Sequence, residues 1–301
     1  MQMTPLGKTG LSVSRLGAGL ARIGFELTMD EVKEAGQVLN AALDDGINFL
    51  DTAACYSISE ELVGNTVSHR RDEYILATKC GHVTGGASGT EWSTQTIQDS
   101  IDRSLERMKT DHLDLVQLHS CELEILERGE VVEALLNAKE SGKTRFVGYS
   151  GDNEAALWAV ESGFFDTLQT SFNVVDQQAR SKLFGPAKSR GMGIIIKRPV
   201  ANGAWKVEHS PYGYADEYFS RAKILDKTGP ILNGPDDRML AAMGFVLAHQ
   251  EVDTAIVGTR NPSHMHSNIE QVETKLPVSK EFVEELHHRF DMIGKEWDQL
   301  N

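Results

Sequence analysis

Short runs of apolar and β-branched residues alternate along the chain with longer stretches in which apolar residues recur with helical periodicity. The short runs are typical of buried strands of about four to eight residues, and the longer stretches of amphipathic helices. The clearest helical faces are formed by Ile97, Ile101, Leu105 and Met108, and by Val131, Leu135 and Ala138. The predicted strands are Val13–Leu16, Ile47–Leu50, Tyr74–Thr78, Leu113–His119, Phe146–Tyr149, Leu168–Ser171, Gly193–Lys197 and Thr254–Val257.

This alternation predicts the fold. Strands that alternate with helices form right-handed βαβ units and a parallel sheet. Eight strands, each followed by a helix, predict a closed (β/α)8 TIM barrel, with a doubly wound open sheet as the alternative. The pattern also predicts an N-terminal β-hairpin within Met3–Leu11 and a C-terminal helical extension over Ser279–Gln299. The least regular segment, Pro199–Asp236, is long for a loop, and long loops in compact domains tend to be functional.

Length and composition narrow the class of protein. No linker rich in Pro, Gly or Ser divides residues 1–301, so we expect one domain. The net charge of −14 argues against nucleic acid or an anionic membrane as a partner, because both need a basic surface. The chain lacks both an apolar run of about eighteen residues and the apolar stretch of a secretory signal. Cys55, Cys80 and Cys121 are too few for a disulfide scaffold, and a cytoplasmic location is predicted.

Polar side chains stand at the carboxyl ends of most of the predicted strands. In a barrel, these ends form the face that carries the active site. In chain order, the polar residues at or just after these ends are Asp51, Lys79, His119, Ser150, Lys197, Arg198, Thr259 and Arg260, and Gln169 lies within the sixth strand. Tyr56 follows Asp51 after four intervening residues. An acid, a phenol, a lysine and an imidazole are therefore expected to converge at the mouth of the barrel.

These side chains together suit proton donation to a carbonyl group. A free tyrosine, with a pKa of about 10, donates a proton slowly at neutral pH. A neighbouring ammonium group lowers that pKa, and a carboxylate behind the lysine keeps it charged and in place. A histidine on the other side can orient the substrate oxygen by hydrogen bonding. Taken one at a time, Asp51 also fits a turn, Lys79 a structural ion pair and His119 a core histidine.

A metal site is an alternative use of the same face. Cys55, Cys80, His82, His119 and Cys121 would all fall near it. However, the chain contains neither Cys-x-x-Cys nor His-Glu-x-x-His spacing, and loose Cys/His proximity is usually coincidental. We therefore predict no metal, and a metal-dependent barrel hydrolase is the minor alternative. A serine nucleophile is not indicated either, because no Gly-x-Ser-x-Gly elbow is present.

Sequence motifs spread over nearly the whole chain resemble those of one known family. The most specific are DTAACY at 51–56 followed by SISEELVG at 57–64, and LGKTGLSVS at 6–14 followed by LGAG at 16–19. The others are ATK at 77–79, SLERM at 104–108, DLVQLH at 114–119, FVGYS at 146–150, Gln169, Asn173, IVGTR at 256–260 and Asn268. They are similar to the motifs of the aldo-keto reductases. The resemblance implies a (β/α)8 barrel that reversibly reduces carbonyls with a nicotinamide coenzyme.

The resemblance also implies roles for individual residues. Tyr56 would be the general acid/base, Lys79 and Asp51 would tune it, and His119 would position the carbonyl group. Ser150 and Gln169 would hold the nicotinamide carboxamide. The full set implied to bind the coenzyme, which is NADP(H) or alternatively NAD(H), is Gly19, Leu20, Asp51, Ser150, Gln169, Lys197, Arg198, Pro199, Val200, Gly258, Thr259, Arg260, His264 and Asn268.

Three positions depart from the family pattern. Gly151 replaces an asparagine that contacts the nicotinamide, Lys197 a tyrosine that stacks on its ring, and His264 an arginine near the adenosine phosphate. Arg260 still predicts a preference for NADPH, unless it pairs with a surface acid such as Glu273. We expect an NAD(P)(H)-dependent oxidoreductase that acts on a small-molecule aldehyde, ketone or sugar carbonyl, or on the corresponding alcohol. The alternative without catalysis is a coenzyme-binding regulatory subunit.

Overall fold

The computed structural model describes residues 1–300, and its centre is a closed barrel of parallel strands. The strands are β1 (Met3–Pro5), β2 (Ser12–Ser14), β3 (Leu16–Gly19), β4 (Phe49–Asp51), β5 (Ile75–Cys80), β6 (Leu113–His119), β7 (Thr144–Ser150), β8 (Thr167–Ser171), β9 (Gly193–Lys197) and β10 (Thr254–Val257). Strands β3 to β10 pair in chain order, and β10 closes the barrel onto β3. The predicted (β/α)8 TIM barrel is confirmed.

Helices follow every barrel strand and cover the outside of the barrel. They are α1 (Ala21–Glu26), α2 (Val32–Asp44), α3 (Ser59–Thr66), α4 (Thr94–Met108), α5 (Leu123–Arg128), α6 (Glu130–Glu140), α7 (Asn153–Ser162), α8 (Gln178–Lys182), α9 (Phe184–Ser189), α10 (Asp216–Asp226), α11 (Arg238–Leu247), α12 (Pro262–Lys275) and α13 (Lys280–Ile293). Short 3-10 helices span Met29–Glu31, Ser68–Glu73, Ala201–Gly203 and Gly213–Ala215. None of the helices within residues 1–300 is long and apolar enough to cross a membrane.

The predicted helical faces are the buried ones. On α4, Ile97, Ile101 and Met108 are buried against the barrel, and on α6 the same holds for Val131 and Leu135. The start of α4 is capped by Ser93, whose hydroxyl oxygen accepts a hydrogen bond from the Thr96 amide at 3.2 Å. Such a cap satisfies one of the amides that a helix start leaves without an intrahelical partner.

The N-terminal hairpin closes the bottom of the barrel. Strands β1 and β2 pair antiparallel. Leu6, Leu11 and Val13 are buried in an apolar cluster with side chains of β4, β5, β6 and β9, which are Phe49, Ile75, Ala77, Leu115 and Ile195. Gly7 has a φ of +51°, and a Cβ at this position would lie 2.3 Å from the Gly193 backbone nitrogen. Only glycine therefore fits the tip of the hairpin.

The bounds of the hairpin and of the first barrel strand differ from the prediction. The run Val13–Leu16 was predicted to be one strand, but β2 ends at Ser14 and β3 begins at Leu16. The bend between them is held by Arg15, whose guanidinium donates to the carbonyl oxygens of Leu247 and Val252. Because these acceptors are far away in the chain, the local apolar pattern shows no break at Arg15.

Two later segments also differ from the prediction. The C-terminal extension is helical only in α13, and residues 294–300 continue without helix. This tail lies against the ends of the strands: the Gln299 side chain donates to the Ser171 carbonyl oxygen at 2.8 Å, and the Leu300 amide to Asp176 at 3.1 Å. The segment predicted to be irregular, 199–236, contains α10, whose buried residues include Tyr218.

Candidate active site

Asp51 and Lys79 form a buried ion pair at the mouth of the barrel. They lie at the carboxyl ends of β4 and β5, which are neighbouring strands. The Lys79 ammonium donates to Asp51 Oδ2 at 2.6 Å and to the Thr52 carbonyl oxygen at 2.8 Å, and both charged side chains are 1% exposed. Burial acts to lower the pKa of Lys79, but Asp51 and Tyr56 outweigh burial and raise it. The ammonium group therefore stays charged.

The aromatic ring of Tyr56 lies against the Lys79 ammonium of this pair. Tyr56 follows β4 in the loop that leads to α3, and Lys79 Nζ is 4.9 Å from the centroid of its ring. Burial raises the pKa of the phenol, and the Lys79 ammonium opposes this rise without reversing it. The sequence had predicted a net lowering, because the cost of desolvating the phenolate is not visible in a motif. Tyr56 is therefore protonated at neutral pH and has a proton to donate.

The imidazole of His119 stands beside the phenol. The two rings are 5.6 Å apart between centroids and meet edge to face, at 78°. Burial, followed by the charge of Lys79, lowers the pKa of His119 well below its usual value. The ring is therefore neutral, with one nitrogen that donates and one that accepts. Its Nδ1 lies 3.2 Å from the sulfur of Cys55.

Ser150 and Gln169 connect to the same buried carboxylate. The Ser150 hydroxyl donates to Gln169 Oε1 at 2.7 Å, and Gln169 Nε2 donates to Asp51 Oδ1 at 2.7 Å. All three side chains are buried. The residues predicted to hold the nicotinamide carboxamide and those predicted to tune the phenol thus form one hydrogen-bonded chain. It fixes the orientation of the Gln169 amide group.

Lys197 is tied to a partner that sequence reasoning missed. Its ammonium donates to Asp152 Oδ2 at 2.8 Å, and Asp152 is fully buried. Burial acts to raise the pKa of Asp152, but Lys197 and Arg198 outweigh it and lower the pKa. Asp152 directly follows Gly151 in the chain. An acid next to this departure from the family pattern was the only feature of the sequence that could have suggested a partner for Lys197.

Arg198 is held at several points next to this pair. Its guanidinium donates to the Ser171 hydroxyl at 3.1 Å, and also contacts the Leu300 carbonyl oxygen and the Tyr214 hydroxyl. Pro199 and Val200, also predicted to bind the coenzyme, follow it directly in the chain. The C-terminal tail and the long segment after β9 therefore meet at this arginine.

The remaining predicted coenzyme residues lie on adjacent strand ends, because β10 has β3 and β9 as neighbours. Gly19 ends β3 and Leu20 follows it, while Gly258, Thr259 and Arg260 lie between β10 and α12. A Cβ at Gly258 would lie 2.8 Å from the Gly19 carbonyl oxygen, so glycine allows this close approach.

The outer part of this group is on or near α12. His264 is exposed and Asn268 is buried on that helix. The Arg260 side chain is 57% exposed, and its Nε lies 3.3 Å from Glu26 on α1. Glu273, the surface acid named as its alternative partner, instead pairs with the amino group of Met1.

Aromatic side chains form the walls around Tyr56 and His119. Phe25 of α1 is 63% exposed, with its ring 5.7 Å from that of Tyr56. The His82 ring lies 4.9 Å from that of Trp92 and 5.6 Å from that of His119. Nothing in the local sequence pattern singled out Phe25 or assigned His82 to the wall.

The described residues, 1–300, contain no group of three or more His, Cys, Asp and Glu side chains that could hold a metal ion. We expect dialysis against a chelator to leave the rate of the catalysed reaction unchanged, because the protonated Tyr56 phenol beside the Lys79 ammonium can act as the acid in place of a metal. Steady-state rates before and after dialysis check this expectation. Loss of activity that added zinc restores would support the metal hydrolase instead.

Comparison with known proteins identifies relatives over the full length of the barrel. The model of the aldo/keto reductase family matches residues 15–288. L-galactose dehydrogenase from Arabidopsis thaliana is 28% identical over 284 residues, which cover 90% of this chain and 88% of that protein. D-threo-aldose 1-dehydrogenase from a Pseudomonas species is 28% identical over 309 residues, covering 89% and 92%. Among solved structures, the aldo-keto reductase AKR11C1 from Bacillus halodurans (holo form) matches with a TM-score of 0.80, at 26% identity over 96% of each chain.

Proposed function

Because the chain belongs to the aldo/keto reductase family, a family of nicotinamide-dependent oxidoreductases, we propose that it reduces a small-molecule aldehyde, ketone or sugar carbonyl with NADPH and with Tyr56 as the proton donor. One observation carries the proposal: the buried Lys79 ammonium, paired with Asp51, lies against the Tyr56 ring, with neutral His119 alongside. A protonated phenol, a fixed positive charge and a neutral imidazole therefore face one point at the mouth of the barrel.

The residues at the other side of the mouth suit an anionic dinucleotide. Arg198 and Arg260 are cations that follow β9 and β10, and α12 begins two residues after Arg260. Amides at a helix start and guanidinium groups both favour phosphate oxygens. In our proposal these residues bind the pyrophosphate and adenosine, while Ser150 and Gln169 bind the carboxamide. The bound coenzyme supplies the hydride.

The chain supplies the proton and the electrostatic stabilisation. As negative charge develops on the carbonyl oxygen, the Tyr56 phenol donates its proton to that oxygen. The phenolate left behind is stabilised by the Lys79 ammonium, whose charge Asp51 maintains. His119 donates an N–H to the same oxygen and thereby orients the carbonyl group. In the reverse reaction, the Tyr56 phenolate accepts the proton of the alcohol.

A panel of carbonyl compounds tests this function. Two relatives are named for action on sugars, which makes aldoses the first substrates to try beside simple aldehydes and ketones. We expect consumption of reduced coenzyme that depends on both enzyme and carbonyl and that falls about 10²- to 10⁴-fold in Tyr56→Phe. Saturable coenzyme binding without turnover on any of them would instead support a regulatory subunit.

Arg260 leads us to expect tighter binding of NADPH than of NADH. The adenosine 2′-phosphate adds negative charge, and a guanidinium group can bind it in a bidentate manner. Glu26, which is 3.3 Å from Arg260, competes for that guanidinium. Removing the Arg260 side chain is therefore expected to weaken NADPH binding by about three- to tenfold and to leave NADH binding nearly unchanged, whereas Glu26→Gln should strengthen NADPH binding.

Fluorescence titration of both coenzymes gives the Kd values. Arg128→Ala is a matched control, because it removes an exposed arginine from α5, which follows β6 on the opposite side of the barrel from β10. Equal or tighter binding of NADH by the unmodified protein would contradict the assignment. An Arg260→Ala variant with unchanged discrimination would do the same.

A further inference from the structure

Cys55 contacts the imidazole that is proposed to orient the substrate. It lies in the loop after β4 and is half-buried, while His119 ends β6. Cys55 Sγ is 3.2 Å from His119 Nδ1, which is within hydrogen-bonding distance for sulfur. The two residues are 64 positions apart in the chain, so the contact is a product of the tertiary fold.

Two arrangements of protons could make this contact between neutral groups. Either the thiol donates to an unprotonated Nδ1, or a protonated Nδ1 donates to the sulfur. The thiol is a weak donor and its sulfur a weak acceptor, but the basic imidazole nitrogen with its free lone pair is the better acceptor of the two groups. The first arrangement is therefore favoured, and it leaves the ring proton on Nε2.

An ion pair between thiolate and imidazolium is disfavoured by the surroundings of both groups. Burial raises the pKa of the Cys55 thiol, although Lys79 opposes this rise. Burial and then the charges of Lys79, Lys197 and Arg198, together with His82, lower the pKa of His119. The thiol therefore keeps its proton and the imidazole takes up no second one.

Among residues 1–300, His119 Nε2 has no hydrogen-bond partner, so we take it as the nitrogen that meets the substrate. The nearby His82 Nε2 lies 3.0 Å from the backbone carbonyl oxygen of His119 and not from its ring. A carbonyl oxygen of a substrate is an acceptor, so it needs a protonated nitrogen opposite it. With the proton on Nδ1, the lone pair of Nε2 would meet the lone pairs of that oxygen.

We propose that Cys55 is a positioning residue that holds His119 as the Nε2–H tautomer, so that the imidazole presents a donor to the substrate oxygen. The interaction with a substrate oxygen rests on the proposed function. The tautomer of His119 can be measured without turnover. A cysteine in this position acts through a second side chain and has no covalent step of its own.

The tautomer can be read directly from nitrogen-15 NMR of the full chain labelled in histidine. The chain has 10 histidines, so the His119 signals are assigned by their loss in His119→Gln. We expect His119 to show a protonated Nε2 and an unprotonated Nδ1. In Cys55→Ala we expect signals of mixed tautomers, and in Cys55→Ser, which keeps a donor, we expect the Nε2–H pattern to return.

Turnover gives the second measurement. We expect kcat to fall about three- to tenfold in Cys55→Ala, as is typical of losing one hydrogen bond, with partial recovery in Cys55→Ser. Cys121→Ala, which removes another thiol close to the end of β6, is the matched control and should keep both the tautomer and kcat. A variant that only loosened packing would lower Tm without changing the tautomer.

A protonated Nδ1 in the unmodified protein would overturn the proposal, as would an unchanged tautomer in Cys55→Ala. If no carbonyl is turned over although the tautomer follows Cys55 as expected, the proposed function fails and the positioning role of Cys55 stands. The NMR measurement and the turnover measurement therefore separate the two ideas.

Discussion

The Tyr56→Phe variant is expected to lose about 10²- to 10⁴-fold in kcat for carbonyl reduction, the usual contribution of a general acid, with little change in the Kd of the coenzyme. The proton leaves the phenol only as charge develops on the substrate oxygen, so the loss falls on the transition state. Phenylalanine keeps the ring that packs between Phe25 and His119. The variant is therefore expected to fold normally.

Steady-state kinetics and a coenzyme titration on the same preparation check this prediction. A variant that keeps most of its kcat would remove Tyr56 from the proposed role. The pH profile gives an independent reading, because reduction needs the protonated phenol. Since burial raises the pKa of Tyr56, we expect reduction to be insensitive to Tyr56 ionisation up to about pH 9, below the ordinary tyrosine pKa of about 10. Oxidation of the alcohol, which needs the phenolate, is expected to speed up as the pH rises.

Lys79→Met is expected to abolish most turnover as well, by about 10²-fold or more, because the phenolate of Tyr56 loses the charge that stabilises it. The same change leaves Asp51 buried without its cation, which typically costs about 3–5 kcal/mol of stability. Lost activity in this variant could therefore come from unfolding. The double variant Asp51→Asn/Lys79→Met removes that unpaired charge. It is expected to regain Tm while staying inactive.

Asp51→Asn alone is expected to be less harmful than Lys79→Met. Asp51 accepts from Lys79 with one oxygen and from Gln169 with the other, and asparagine can keep only one of these two acceptors. Both kcat and Tm of Asp51→Asn should fall between the values of the unmodified protein and those of Lys79→Met. If Asp51→Asn remains folded and is much less active than Lys79→Met, the proposed division of roles is wrong.

The sequence predicted those parts of the molecule that depend on local periodicity. Asp51, Lys79 and His119 could be placed together because each follows an apolar run, and the ends of parallel strands in a closed barrel share one face. The predicted strand boundaries were wrong where a distant group determines where a strand ends. Arg15 bends the chain between β2 and β3 by bonding to carbonyl groups more than 200 positions away, and no local pattern records that bond.

The parts of the site that the sequence did not predict are contacts between a loop and a distant element. Cys55, in the loop after β4, contacts His119 at the end of β6, and Arg260, in the loop after β10, contacts Glu26 at the end of α1. The predicted direction of the shift in the pKa of Tyr56 was wrong for a related reason. Desolvation sums the effect of every group packed around the phenol, while a motif shows only the one favourable charge.

The hairpin that closes the bottom of the barrel sets an order of events during biosynthesis and folding. The Gly7 amide donates to the Asp253 carboxylate, 246 positions along the chain, and the Lys8 amide donates to the Gly191 carbonyl oxygen at 2.8 Å. Contacts of such separation form late, because the long loop between them must close first. Leu6, Leu11 and Val13 are thus translated early, but their apolar cluster is completed only when Ile195 of β9 arrives. Until then these three side chains are incompletely covered apolar surface, which is prone to aggregation in a nascent chain.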